Sequence, residues 1–295
     1  MRSSSILLAP LLAAVLAAGT SVRAVPQLPP AQAAVIAPLR AGGEAGRPAP
    51  IVATVDSLLP RAWAARDTGF ARRLVLWRGM AGAAYGRGRS SESDLRRARE
   101  LAAAAADTAD LLPALRWLSV SLSLQGRLDE ADAIARELQA VALAAGDSVH
   151  VGWSWVGIAY HHLLQEESRA SADAYGRAPG LFARHAEPRG EIWARQGEAM
   201  ALRKLGHYEE AAASFRRTAE VAHRLGDSMV EAMAWNSLGN LERSFGQPSR
   251  AVDHFERARA VHLANDHRRE AVAPALNLAR SLWELGRFAD AAAEL

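Results

Sequence analysis

A period of about forty residues constrains this chain more than any other feature. Trp235, Leu238 and Gly239 open a pattern that continues through Gly246, Ala251, Phe255 and Ala258. One period earlier the equivalent places hold Gly206, Ala211 and Phe215, and one period before that Trp155, Ile158, Ala159, Tyr175 and Ala178. Leu115, Leu118, Ser119, Gly126 and Ala131 form a further copy, and Ala275, Leu278, Ala279, Gly286, Phe288 and Ala291 extend the series forward. Acidic residues keep the same beat at Asp67, Asp107, Asp147, Glu187 and Asp227. A constant period over several copies predicts a solenoid, in which each unit buries its apolar face only against its neighbours.

Each unit reads as a pair of helices. The small residues Gly79, Ser119, Ala159, Ala199, Gly239 and Ala279 are expected where the two helices cross most closely, facing Ala131, Ala211, Ala251 and Ala291 of the second helices. Gly126, Gly206, Gly246 and Gly286 are expected to end the first helices with φ > 0. Asp107, Asp147 and Asp227 are placed to cap the helices that follow them. The predicted fold class is therefore all-α, a right-handed superhelical solenoid of antiparallel helix pairs.

These residues resemble the tetratricopeptide repeat family. The resemblance is closest over 191–295, fair over 111–190 and degenerate over 67–110. The usual unit is about 34 residues long, so extra turns are expected here in the second helix, as in 211–225 and 249–264. Glu242 stands where the family expects an aromatic residue, and the closing proline is missing. The resemblance implies binding of a protein or peptide segment in the groove lined by the first helices.

The predicted organisation is a signal peptide over 1–24, a Pro/Ala/Gly-rich linker over 25–50 and a repeat array over 51–295. Within the array a capping helix (51–66), kinked or shifted by Pro60, precedes repeats at 67–106, 107–146, 147–186, 187–226, 227–266 and an incomplete 267–295. Arg2, the apolar run Ile6 to Ala18 and the cleavage-compatible Val22-Arg23-Ala24 carry the signal reading. The apolar run is too short for a stable membrane span. The expected location is extracytoplasmic, a bacterial periplasm or the medium.

Composition narrows the chemistry. With no cysteine, disulfides, thiolate metal sites and cysteine nucleophiles are excluded. A net charge of +3 over 295 residues, without a basic run, argues against a nucleic-acid partner. No phosphate-binding loop, nucleophile elbow or zinc-protease motif is present. Gly86-Arg87-Gly88-Arg89 reads as a loop between helices, and adjacent His161 and His162 point about 100° apart on a helix, unsuited to sharing a metal. The chain is expected to have no cofactor and no catalytic activity.

Candidate ligand-facing residues come from the inner face of the first helices. The C-terminal half offers Arg203, Asn236, Asn240, Arg243, Asn277 and Arg280, amides for a peptide backbone and guanidiniums for carboxylates. The N-terminal half offers Trp117, Trp153 and Tyr160 as apolar pockets. Trp155 and Trp235 fall on the packing slot and are assigned to the core. For Trp117, Trp153 and Trp193 a frame shift of one residue decides between core and groove. The partner is expected to be an extended or acidic segment. The favoured reading is a free-standing exported scaffold. Its rivals are the N-terminal recognition arm of a larger protein with a catalytic or signalling domain beyond residue 295 and, last, a cytoplasmic regulator touching nucleic acid.

Overall fold

The computed structural model describes residues 48–84 and 88–294; the expected signal peptide and most of the linker lie outside them, as do Gly86 and Arg87. The described residues are helical throughout, apart from the short turns between helices. The chain divides into two compact units that meet in sequence at His161 and His162.

The N-terminal unit comprises α1 (Pro48–Ala64), α2 (Thr68–Ala84), α3 (Gly88–Ala104), α4 (Thr108–Leu124), α5 (Leu128–Ala144) and most of α6 (Ser148–Leu164). The C-terminal unit holds α7 (Ser168–Gly176), α8 (Pro179–Arg184), α9 (Pro188–Lys204), α10 (Tyr208–Leu225), α11 (Ser228–Ser244), α12 (Pro248–Ala264), α13 (Val272–Glu284) and α14 (Phe288–Ala293). Helix α1 starts inside the expected linker and runs through Pro60. Gly88 and Arg89 sit in the first turn of α3 rather than in a loop.

The turns explain the period. A left-handed residue recurs at Ala106, Gly126, Gly146, Glu166, Ala186, Gly206, Gly226, Gly246, Asp266 and Gly286, once in every twenty positions (126 − 106). The next N–H returns to the carbonyl five residues back, as from Asp107 to Ala102 (2.9 Å) and from Arg287 to Leu282 (2.9 Å). This closes each helix with its orphan carbonyl satisfied. Ala106 and Ala186 hold φ of 51° without being glycine, at a cost of about 1 kcal/mol each. The geometry is thus imposed by stacking of the helices and not by local preference.

The residue after the left-handed one also starts the next helix, except after Asp266, where a turn intervenes before Val272. Asp107 accepts from the N–H groups of Ala109 (3.1 Å) and Asp110 (3.3 Å), and Asp227 from Val230 (3.2 Å). Asp147 accepts from the N–H of His150 (3.0 Å) and pairs with its imidazole, which holds the carboxyl down to about 2. The added length is shared by the two helices of a unit: α4 and α5, like α11 and α12, each have 17 residues. The expected lengthening of the second helix alone is not what the chain does.

Pro179 interrupts one second helix. With no N–H and a ring that clashes one turn back, it splits residues 168–184 into α7 and α8. The two pieces still pack, because α9 presents glycines to their rings. A Cβ on Gly197 would lie 2.1 Å from Cζ of Tyr175, and one on Gly190 would lie 2.5 Å from Phe182.

The core is a chain of small clusters in each unit. Val55 and Ala62 of α1 bury against Ala71, Leu74 and Ala81 of α2. Ala199, Ala211, Phe215, Leu238 and Leu241 join α9, α10 and α11; Ala251, Val252, Phe255, Leu278, Leu282 and Ala291 join α12, α13 and α14. Ser119, Ala159 and Ala279 are buried, as the crossing points require.

Candidate protein-binding face of the first helices

In the C-terminal unit the first helices α9, α11 and α13 run side by side and share polar rungs. Gln196 Nε2 donates to Ser237 Oγ (3.0 Å), Asn277 Nδ2 to Asn236 Oδ1 (3.0 Å) and Arg243 Nη1 to Glu284 Oε1 (3.3 Å). Each rung joins residue i of one first helix to i + 41 of the next (237 − 196, 277 − 236, 284 − 243). Asn240 Nδ2 turns back to the carbonyl of Asn236 (3.0 Å). Of the amides expected to grip a peptide backbone, Asn277 and Asn240 therefore donate inside the protein and Asn236 accepts, and the Asn277–Asn236 bond ties one repeat to the next.

The basic residues are differently placed. Arg203 and Arg243 occupy the same position of α9 and α11, both half-buried. Arg243 meets a single carboxylate, Glu284, and its Nε is buried without a hydrogen-bond partner. Lys204 is exposed beside Arg203, and Arg280 of α13 is exposed and 3.5 Å from the same Glu284. Among the described residues of this face Arg243 and Arg280 thus share one carboxylate, Glu284.

The aromatic half does not form as expected. Trp117 is 1 % exposed and Trp153 is buried. The Arg116 guanidinium lies 3.5 Å from the Trp153 ring centroid and 5.8 Å from that of Trp117. Stacking of this kind fills the space between the rings. Trp117 and Trp153 are core, and leave no opening for a side chain from outside. Tyr160 is half-buried, and burial pushes its phenol well above the usual range. Trp193 is buried, whereas Trp155 and Trp235, assigned to the core from their spacing, are half-buried. Trp235 stacks on His254, with ring centroids 5.6 Å apart and planes 9° off parallel.

Other titratable groups are part of the packing. His161 Nε2 lies 2.7 Å from Ser123 Oγ inside the N-terminal unit. His262 is buried beside His267, and burial lowers its imidazole to about 4. Among the described residues no group of three or more His, Asp or Glu side chains is arranged to hold a metal, and no helix is long and apolar enough to cross a membrane.

Sequence reasoning missed an ionic cluster in the N-terminal unit. Arg72 Nε donates to Asp110 Oδ2 (2.7 Å), and its Nη2 reaches Asp107. Arg73 adds an ion pair to Asp110 Oδ1 at 3.5 Å. The signal that could have revealed it is opposite charge on the inner faces of successive first helices, at separations of 35 and 38 residues.

Paired helices closed by a left-handed residue once in every twenty positions of the described chain define a helical-hairpin repeat protein. Residues 192–264 match the tetratricopeptide repeat family, and the helix pairs on either side continue the same frame. No curated protein matches the sequence. Among solved structures the fold is similar to that of BtubC (BKLC) from P. vanneervenii, with a TM-score of 0.59, 21 % identity, and coverage of 71 % of this chain and 87 % of that one. It is similar to NprR in complex with its cognate peptide NprX, with a TM-score of 0.56, 14 % identity and coverage of 81 % and 75 %. It is also similar to a signal-transduction ATPase with numerous domains and a tetratricopeptide repeat sensor from Pyrococcus horikoshii, with a TM-score of 0.62, 14 % identity, and coverage of 88 % of this chain and 43 % of that one.

Proposed function

We propose that this chain is an exported binding module that holds an acidic protein or peptide segment against the first-helix face of its C-terminal unit. The observation that carries this reading is the placement of Arg203 and Arg243 at one position of successive helices, where Arg243 and Arg280 divide the single carboxylate of Glu284 between them. A guanidinium with unused donors offers two parallel bonds to a carboxylate. The likeness to a repeat protein that holds a cognate peptide supports a peptide as the ligand. The likeness to a sensor-bearing ATPase supports a second reading, in which the array is the recognition arm of a longer protein. Export rests on the charged, apolar and small-residue order of residues 2–24.

The test uses a fluorescein-labelled peptide of alternating Glu and Leu and the full chain, followed by anisotropy at low and high salt. Binding is expected to weaken as salt screens the charges and to fall about tenfold or more, roughly 1.4 kcal/mol or greater, in Arg203→Glu/Arg243→Glu. Equal affinity in the variant would remove this face from consideration. A periplasm-only reporter fused to residues 1–24 is expected to be active; silence would reject export.

A further inference from the structure

The acidic beat of the joints stops at His267. Asp107, Asp147 and Asp227 each accept from backbone N–H groups of the helix that starts at the next residue. His267 takes the same position forty residues after Asp227 (267 − 227). The N–H of Ala271 still reaches the His267 carbonyl (3.0 Å), but Nδ1 of the imidazole is buried without a hydrogen bond to any described residue. A neutral imidazole also lacks the charge that suits an acid to a helix N-terminus. Residues 268–271 accordingly form a turn, and α13 begins only at Val272, with 13 residues against the 17 of α11.

A second histidine lies beside the first. His262 of α12 stands where the other second helices carry Ala102, Ala142, Phe182 and Ala222, all fully buried, and is itself 2 % exposed. Its ring centroid is 6.0 Å from that of His267, and its Nδ1 is likewise buried without a hydrogen bond. Asp227 Oδ2 completes the cluster. It is buried, makes no hydrogen bond, lies 4.0 Å from Arg189 Nε and is within electrostatic reach of His267. Three buried polar atoms at one joint thus lack a hydrogen bond among the described residues, and each such atom in an interior calls for a reason.

We propose that His262 and His267 form a proton-operated clasp, which holds the turn 265–271 and α13 against α12 at neutral pH and releases them in acid. The core tolerates His262 while it is neutral. A charged His262 has no compensating neighbour among the described residues. Helix α12 packs against α11 and α13. From α11 come Asp227, which faces Arg189 and His267, and Glu231, which His223 engages at 3.1 Å. Helix α13 brings no charged side chain before Arg280, and the turn brings His267, Arg268, Arg269 and Glu270. On α12 itself Arg259 pairs with Glu294, and just beyond it Asp266 pairs with Arg268. Of all these only His267 acts on the His262 imidazole, and it opposes a proton there. Burial holds that imidazole down to about 4, against about 6.5 when exposed. The opened joint therefore binds a proton more readily than the closed one. The closed joint keeps its full stability above about pH 6.5 and loses it as the pH falls towards 4. Release also undoes two rungs, since α13 carries Asn277 and Glu284, the partners of Asn236 and Arg243. The clasp itself does not depend on the peptide reading.

Hydrogen exchange of the full chain tests it, read by mass spectrometry at about pH 7.5 and about pH 5, on either side of an ordinary imidazole, and corrected for the intrinsic exchange rate. A fall from about 6.5 to about 4 favours the open joint about thirtyfold more at pH 5 than at neutral pH. The turn and α13 are therefore expected to lose about tenfold or more of their protection in acid, and α11 about twofold or less. His262→Leu, neutral at every pH, is expected to abolish the acid-induced loss. Each variant is compared with itself at the two pH values, so a change in overall stability does not obscure the result. His267→Asp, which sets a carboxylate beside His262 in place of an imidazole, is expected to suppress the loss as well. Unchanged protection in the parent chain would overturn the proposal, as would equal loss in α11 and α13. So would a loss that persists in His262→Leu or in His267→Asp. A chelator that produces the same loss at pH 7.5 would also overturn it, because a metal and not a proton would then operate the pair.

Discussion

Asp110→Ala is expected to destabilise the N-terminal unit by about 3–5 kcal/mol, the usual cost of stripping one partner from a buried ion pair. The carboxylate is buried between two guanidiniums, accepting from Arg72 Nε at 2.7 Å and lying 3.5 Å from Arg73. Among the described residues, Arg72 without it keeps only Asp107, whose other oxygen already caps α4, and Arg73 loses its one ion pair. The alternative of leaving the charge uncompensated is worse than having none. Arg72→Leu/Asp110→Leu, which removes both charges and fills the space, is therefore expected to recover most of the loss. Urea unfolding followed by circular dichroism separates the cases. A loss below about 1 kcal/mol for Asp110→Ala would mean that water screens the pair as it does on a surface.

The same cluster shows where the sequence stops being informative. The period placed the helices because a spacing of about forty residues needs two helices and two turns of constant length, and only stacking makes that length constant. It placed Gly239, Ala251 and Phe255 in the core because small and large side chains at matched positions report a close crossing. It did not place Trp117 and Trp153. Residues at the border of a buried face move from inside to outside with an error of one position, or 100°, and only the coordinates of Arg116 over Trp153 decide the matter. Nor did it separate the two uses of an amide. Asn236 and Asn277 suit a peptide backbone and a neighbouring helix equally well, and the i + 41 separation that marks them as rungs gains meaning beside Gln196–Ser237 and Arg243–Glu284. The groove is the harder inference because charge on a helix face has no period of its own: Arg203 and Arg243 are two positions of a series that Trp283 does not continue.

Gly239→Leu is expected to cost about 3 kcal/mol, at the upper end of the range for forcing extra atoms into a packed interior. A Cβ alone at this position would stand 2.7 Å from Cε1 of Phe255 and 2.8 Å from its Cδ1. Those contacts are shorter than carbon atoms tolerate, and Phe255 is fully buried with Ala251, Leu278 and Leu282 around it. Its ring has nowhere to swing. The helix itself pulls the other way, since replacing an interior glycine by alanine gains roughly 1 kcal/mol of propensity. Gly239→Ala thus weighs a known gain against the clash, and a net loss shows that the crossing between α11 and α12, not helix preference, selects glycine there. Shrinking the ring distinguishes this from a general intolerance of substitution. Gly239→Leu/Phe255→Ala is expected to recover part of the loss by giving the new side chain the space of the old, a coupling that a double-mutant cycle reads directly. Additive losses in the cycle would place the two residues out of contact and would break the register on which the assignment of every repeat depends.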